Sequence, residues 1–217
     1  MKIGILGTGN VGSTIGNKLI ELGHEVMMGS RTIENEKATN WASNAGKNAL
    51  NGTFADTAKF GEILFNCTSG SISIDALNLA GKENLKGKIL IDLANPLDFS
   101  KGMPPSLYPQ YANTTSLGEE IQKTFPETKV VKTLNTMNCN LMVNAKLVPG
   151  DHDVFIGGND EVAKMKVKEI LKEFGWHSPI DLGDITSARG TEMILPLWVR
   201  LMSTFKTAAF NFKVVKP

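Results

Sequence analysis

Short apolar runs alternate along this chain with stretches whose apolar residues recur at helical spacing. Lys2–Leu6 reads as a buried strand that stops at Gly7. Residues 10–22 follow as a helix, with Val11, Ile15, Leu19 and Leu22 on one face and Gly23 as its stop. Further strands are expected at 25–28, 49–54, 63–67, 88–92 and 129–134, and helices at 34–44, 72–79 and 117–125. A short segment, 56–60, precedes the fourth strand. Residues 95–115 carry Pro96, Pro104, Pro105 and Pro109 and read as a long loop, a place where function often sits.

The last third has another texture. Residues 153–157 and 177–182 read as two more strands around a helix at 160–174. Asp160 is placed to cap that helix, and Val162, Met165, Ile170 and Phe174 recur at helical spacing. Residues 186–210 then read as one long helix, bent or started near Pro196.

Strand–helix alternation with short connections means parallel βαβ units. The expected fold is therefore α/β: a Rossmann-type doubly wound, mostly parallel sheet, extended by two further strands, with a long C-terminal helix alongside. Residues 1–145 should form the dinucleotide-binding domain, and 146–217 a small C-terminal extension packed on the same sheet, the whole being a single compact unit.

Composition narrows the partners. A chain of 217 residues, 41% hydrophobic, buries enough apolar surface to need no disulfide or metal. A net charge of +1 gives no field to gather nucleic acid or an anionic membrane. Cys67 and Cys139 stand far apart, outside any metal-ligand spacing, which fits a reducing compartment. With no secretory leader and no apolar stretch of membrane-spanning length, the expected location is the cytoplasm.

The candidate chemistry begins at Gly7-Thr8-Gly9-Asn10-Val11-Gly12, directly after the first strand and opening the first helix. In that context the glycines permit a tight turn, close approach of a pyrophosphate and close helix–strand packing, while the helix N-terminus offers N–H groups to phosphate. At the end of the second strand, where an NAD-binding fold carries a carboxylate for the ribose, this chain has Gly29-Ser30-Arg31-Thr32. A guanidinium pairs with a 2′-phosphate, and Ser30 and Thr32 add hydroxyls. NADP(H) is thus the expected cofactor.

At the carboxyl ends of the central strands, Thr68, Ser69, Gly70, Asn95, Pro96 and Asn135 are expected around the nicotinamide. Small residues at 69–71 would admit a planar ring, and Asn95 or Asn135 could bond a carboxamide; turn chemistry explains each of them equally well. No catalytic triad, metal set or Tyr-x-x-x-Lys stands out, and no motif surrounds His24, His152 or His177. Arg189 and Glu192, three apart, are spaced to pair on a helix surface. Ile194, Leu197, Trp198, Leu201, Met202 and Phe205 form a stripe read by default as core, part of which is expected to face a second copy in a homodimer.

With these residues in hand, the chain resembles the NADP oxidoreductases dependent on the deazaflavin coenzyme F420. The likeness runs through "IGILGTGNVGSTIGNKLIELGHEVMMGSR", "DLANPL", "VVKTLNTM", "DVFIGGND" and "DLGDITSARGTE", in order along nearly the whole chain. It implies NADP(H) across the strand carboxyl ends, with Thr8, Asn10 and Val11 lining the pyrophosphate turn and Ser30 and Arg31 holding the 2′-phosphate. It also implies a deazaflavin stacked on the nicotinamide. The segments 67–72 and 135–139 depart from the family pattern. Three readings follow: an enzyme passing hydride between NADP(H) and a flavin-like or deazaflavin acceptor without a covalent intermediate, a non-catalytic NADP(H)-binding redox sensor, and a reductase of a small organic substrate.

Overall fold

The structure is a computed structural model describing residues 1–217. Its first half runs β1 (Lys2–Leu6), α1 (Asn10–Glu21), β2 (Glu25–Ser30), α2 (Glu36–Ala45), β3 (Ala49–Thr53), α3 (Phe54–Phe60), β4 (Ile63–Asn66), α4 (Ser73–Ala80), α5 (Lys82–Leu85) and β5 (Ile89–Asp92). A small hairpin, β6 (Leu97–Asp98) with β7 (Ser106–Leu107), occupies the proline-rich loop. The chain continues through α6 (Leu117–Thr124), β8 (Lys129–Thr133), α7 (Cys139–Met142), β9 (Phe155–Gly158), α8 (Glu161–Glu173), β10 (Ile180–Asp181), α9 (Ala188–Met193) and α10 (Leu195–Phe205).

One eight-stranded sheet has the order β10-β9-β8-β5-β4-β1-β2-β3. Its first six strands in the chain are parallel, and the order reverses between β1 and β4, which leaves a crevice at their carboxyl ends. β9 runs antiparallel to β8, and β10 parallel to β9, so the two added strands extend the sheet in the opposite sense. Apolar side chains alternate between the two faces. Ile3, Ile5, Val26 and Met28 pack with α1 and α2, and farther along the sheet α8 covers the same face. Leu6, Leu64, Leu90 and Val130 pack with α3, α4 and α6 on the other.

Several elements differ from expectation. The third strand stops at Thr53, because its hydroxyl and the Asp56 carboxylate cap each other's backbone N–H groups and start α3 there. The long last helix breaks beside Pro196, as expected, but starts and ends differently from 186–210. A 3₁₀ turn over Ile185–Ser187 leads into α9, and α10 restarts at Leu195 with Pro196 in its first turn, where a missing N–H costs nothing. α10 ends at Phe205 because Lys206 takes a left-handed conformation. Beyond it the tail folds back: the Asp153 N–H donates to the Phe212 carbonyl, the Val214 N–H to the Asp153 carboxylate, and Phe210 stacks on Trp198 at 5.3 Å. The stripe read as core is not core: Leu195 and Val199 are the buried residues of α10, while Leu197 and Phe205 are about half exposed. No helix is long and apolar enough to cross a membrane.

Candidate functional site

The glycine turn is dictated atom by atom. Gly7 has φ +123°, and a Cβ there would lie 2.6 Å from the Cys67 carbonyl oxygen. A Cβ on Gly12 would lie 2.3 Å from the Gly7 carbonyl oxygen, so α1 can start this close to β1 only without a side chain. Gly9 is different: a Cβ there would meet nothing within 4 Å. Its missing side chain serves no packing inside the protein and leaves free the space over the turn. No side chain caps the start of α1, and no acidic residue lies in its first turn, so the helix presents bare N–H groups and their partial positive charge to that space.

Pairing of β1 with β2 sets Leu6 opposite Gly29, and the Gly7 N–H donates to the Gly29 carbonyl at 3.1 Å. This brings the Gly29–Thr32 segment beside the glycine turn. Gly29 is required by α3, since a Cβ would sit 2.6 Å from the Thr57 hydroxyl oxygen. The Ser30 hydroxyl is buried and donates to the Thr32 carbonyl. Thr32 itself is exposed, and Arg31 extends into solvent at the cavity rim.

A cavity of about 360 Å³ lies over the switch between β1 and β4. Its walls include the Gly7–Gly9 turn, Ser30, Arg31, Thr68 and Ser69, so these expected residues share one site. Arg31 is the one cation among the lining residues and Asp75 the one anion. Asn10, Val11 and Gly12 sit behind the turn as the first turn of α1. The sequence reading missed the opposite wall, where Phe54, Ile72, Asp75, Ala76 and Leu79 come from α3 and the start of α4. Ile72 is 50% and Leu79 56% exposed, large apolar groups turned out of the core, an arrangement suited to the face of a flat heteroaromatic ring. The signal existed in the sequence: Ile72 and Leu79 fall off the buried face of a helix whose core residues are Ala76, Leu77 and Ala80.

Expectations for the other end change more. Asn135 is 2% exposed, and its amide donates to Asn95 Oδ1 at 2.9 Å and to the Thr191 carbonyl at 2.8 Å. Asn95 in turn donates to the Asn135 carbonyl at 2.8 Å. The amide protons of Asn135 are thus committed to tying two loops together, not free for a carboxamide. Gly70 does not clear a path for a planar ring. It lets the loop after β4 touch the loop after β5, since a Cβ would fall 2.3 Å from the Asn95 carbonyl oxygen and 2.7 Å from the Pro96 Cα. The cavity walls do not include Gly70, Asn95, Pro96 or Asn135.

Arg189 and Glu192 do not pair. The Arg189 guanidinium forks onto Glu119 at 2.8 and 2.5 Å. Although burial alone would raise it, Arg189 and Ser116 hold the Glu119 carboxyl below its ordinary range. Glu192 turns inward to Lys132 at 2.8 Å. The Cys67 thiol, at the cavity wall, is pushed up by burial. His152 lies elsewhere, its Nε2 within 3.0 Å of the Ala145 carbonyl. No group of three or more His, Cys, Asp or Glu side chains is arranged to hold a metal.

The chain is similar to proteins named as NADP reductases. A family model described as NADP oxidoreductase coenzyme F420-dependent matches residues 2–96, the stretch containing the glycine turn, Arg31 and the opposite wall. A crystal structure from Arthrobacter sp. FB24, named as a candidate F420-dependent NADP-reductase, is 53% identical over 100% of both chains, with a TM-score of 0.94. The F420-dependent NADP reductase of Methanocaldococcus jannaschii is 28% identical over 99% of this chain and 98% of its own. Metalloreductase STEAP3 of Rattus norvegicus is 29% identical over 91% of this chain, which spans only 38% of that protein.

Proposed function

This chain belongs to the coenzyme F420-dependent NADP oxidoreductase family, and from that premise we propose that it passes hydride directly between NADP(H) and a planar flavin-like or deazaflavin acceptor, without a covalent intermediate. It is an NADP-dependent oxidoreductase; the acceptor and the residue roles are our reading. One observation carries that reading: the open space over Gly9 is continuous with a cavity whose only cation is Arg31.

In this reading the bare N-terminus of α1, with Thr8, Gly9, Asn10 and Val11, receives the pyrophosphate. Arg31 holds the 2′-phosphate, and Ser30 and Thr32 flank it. Ser30 must turn its hydroxyl away from the Thr32 carbonyl to donate to that phosphate, because an ionised phosphate only accepts. Ile72 and Leu79 lie against the adenine, with Asp75 within reach of its amino edge. Thr68 and Ser69 adjoin the nicotinamide half, and Gly70, Asn95, Pro96 and Asn135 shape the loops behind it. When bound, NADPH supplies the hydride, and the protein's part is orientation and exclusion of water. Direct transfer between stacked rings asks for no side-chain nucleophile or acid.

We further infer that residues 1–145 hold the dinucleotide while 146–217 extend the sheet on the acceptor side. The exposed face of α10 then meets a second copy of the chain. Both cysteines are free thiols, in keeping with a reducing, cytoplasmic setting.

The test follows NADPH absorbance with deazaflavin F420, FMN, FAD and, in view of the metalloreductase relative, a ferric chelate. Turnover is expected with a planar-ring acceptor. Tight NADPH binding with no turnover on any of them would make the protein a redox sensor instead. Arg31→Ala removes a charged hydrogen-bonding partner, a loss of roughly 1.5–3 kcal/mol. NADPH affinity should therefore fall on the order of tenfold or more, with NADH affinity unchanged. Equal weakening of both would overturn the assignment of Arg31.

A further inference from the structure

A row of polar side chains is buried where an apolar strand end would be expected. Asn66, Asp92 and Lys132 stand on one rung across β4, β5 and β8. They are 0%, 0% and 2% exposed. The Lys132 ammonium touches Asp92 Oδ2 at 2.8 Å and Glu192 Oε1 at 2.8 Å, and donates to the Ala94 carbonyl at 2.5 Å. The other Asp92 oxygen accepts from Asn66 at 2.8 Å and from the Ala94 N–H at 3.2 Å. Glu192, also fully buried, accepts the Leu117 and Gly118 N–H groups at the start of α6, at 2.8 and 3.0 Å. Each buried charge is thus satisfied, which is the condition for tolerating it.

One loop leaves this cluster for the cavity wall, and a second packs behind it. Asn66 Oδ1 accepts from the Thr68 hydroxyl at 2.7 Å, and Thr68 is in the cavity wall. The Ala94 carbonyl belongs to the 93–96 turn, which packs against Gly70 and exchanges hydrogen bonds with Asn135. Buried lysines are expensive, and a fixed turn can be built without one. What this lysine adds is one rigid donor shared by a strand carboxylate, a helix carboxylate and a loop carbonyl.

We propose that Lys132 is a positioning residue for hydride transfer: clamped by Asp92 and Glu192, it fixes the 93–96 turn and, through Asn66, the Thr68 loop, so that the Thr68 lip at the nicotinamide end and the turn behind it keep one spacing. The inference rests on the dinucleotide lying along the cavity as described above. It assigns Lys132 no contact with substrate or cofactor.

Two variants separate positioning from stability. Lys132→Met leaves Asp92 and Glu192 buried and unpaired and can fail to fold. The triple variant Asp92→Asn, Lys132→Met, Glu192→Gln removes the unpaired charge while the Ala94 carbonyl still lacks its donor. Each is titrated with NADPH and with adenosine 2′,5′-bisphosphate, which has no nicotinamide, and the nicotinamide fluorescence of bound NADPH is recorded. The folded triple variant is expected to bind the bisphosphate within about twofold of the parent. Its NADPH affinity should fall about tenfold, as expected for a displaced set of polar contacts, and the fluorescence should move toward that of free NADPH. Full recovery of NADPH binding in the triple variant, or parallel weakening of both ligands, overturns the inference and reduces the cluster to a structural tie. Failure of the parent protein to bind the bisphosphate would instead remove the dinucleotide reading, and this inference with it.

Discussion

At the scale of single residues, the glycines of the first turn look alike in sequence and do different work. Gly12 is a packing requirement, with a Cβ colliding at 2.3 Å with backbone that cannot move aside. Gly9 has open space where its Cβ would be. Gly12→Ala should therefore destabilise the protein by about 1–3 kcal/mol, the range for overpacking a tight site. Gly9→Ala should leave the unfolding midpoint in urea nearly unchanged while weakening NADPH binding sharply. Equal loss of stability in both variants would show that the space over Gly9 is no ligand space. The glycine turn and Arg31 were legible because their chemistry is local: a strand, a turn and a helix in immediate succession. Lys132, Asp92 and Glu192 were not read as a cluster, because three elements far apart in the chain bring them together. The one local trace was polar residues ending otherwise apolar strands, as in "ILID" and "VVKTL".

At the scale of elements, periodicity located the eight strands of the main sheet and the longer helices, missed the short α5, α7 and β6–β7 hairpin, and misjudged what covers the last helix. The stripe from Ile194 to Phe205 has helical spacing, which gives a face but not its partner. The helix breaks at Ile194; α9 buries Glu192 and Thr191, while α10 hangs on Leu195 and Val199. Leu197 is left 50% and Phe205 55% exposed. A second copy is the occupant we infer for that face. Leu197 is half exposed, so Leu197→Asp should leave the protomer folded, with unchanged circular dichroism. Light scattering should then fall from the mass of two chains to that of one. A parent protein that already runs as a single chain would sink the idea. The third strand's early end shows another limit: Thr53 and Asp56 form a reciprocal cap with aspartate, not the glutamate or glutamine of the usual pattern.

At the scale of the whole molecule, the added strands are held by charge as well as by the sheet ladder, and this gives the stability a pH dependence. β10 has two residues and contributes little backbone pairing. Its Asp181 carboxylate instead takes Lys164 at 3.0 Å and Lys168 at 2.9 Å from α8, and the Gly183 N–H at 3.0 Å. Burial alone would raise this carboxyl, but Lys168, Lys164 and the Gly183 N–H outweigh it and bring its pKa from 3.8 to about 2. A depressed carboxyl stabilises the folded state above its unfolded value, and the gain is lost as pH falls through the folded value. The relevant window therefore runs from about pH 4 down to about pH 2, following the shift from 3.8 to about 2. The shift corresponds to about 2 kcal/mol at most, and with the side chain 30% exposed, solvent screening brings the expected contribution to about 1 kcal/mol. Asp181→Asn should lower the urea unfolding free energy by that amount at pH 7, and the difference from the parent should vanish as pH approaches 2. A difference that stayed constant between pH 7 and pH 3 and persisted below it would mean that packing, not the ion pairs, holds β10 to α8. The cavity we assign to the dinucleotide lies over the central strands β1 and β4, separated from β10 by β9, β8 and β5. Affinity for adenosine 2′,5′-bisphosphate should accordingly be the same in Asp181→Asn and the parent at pH 7, which separates the stability of the extension from the integrity of the site.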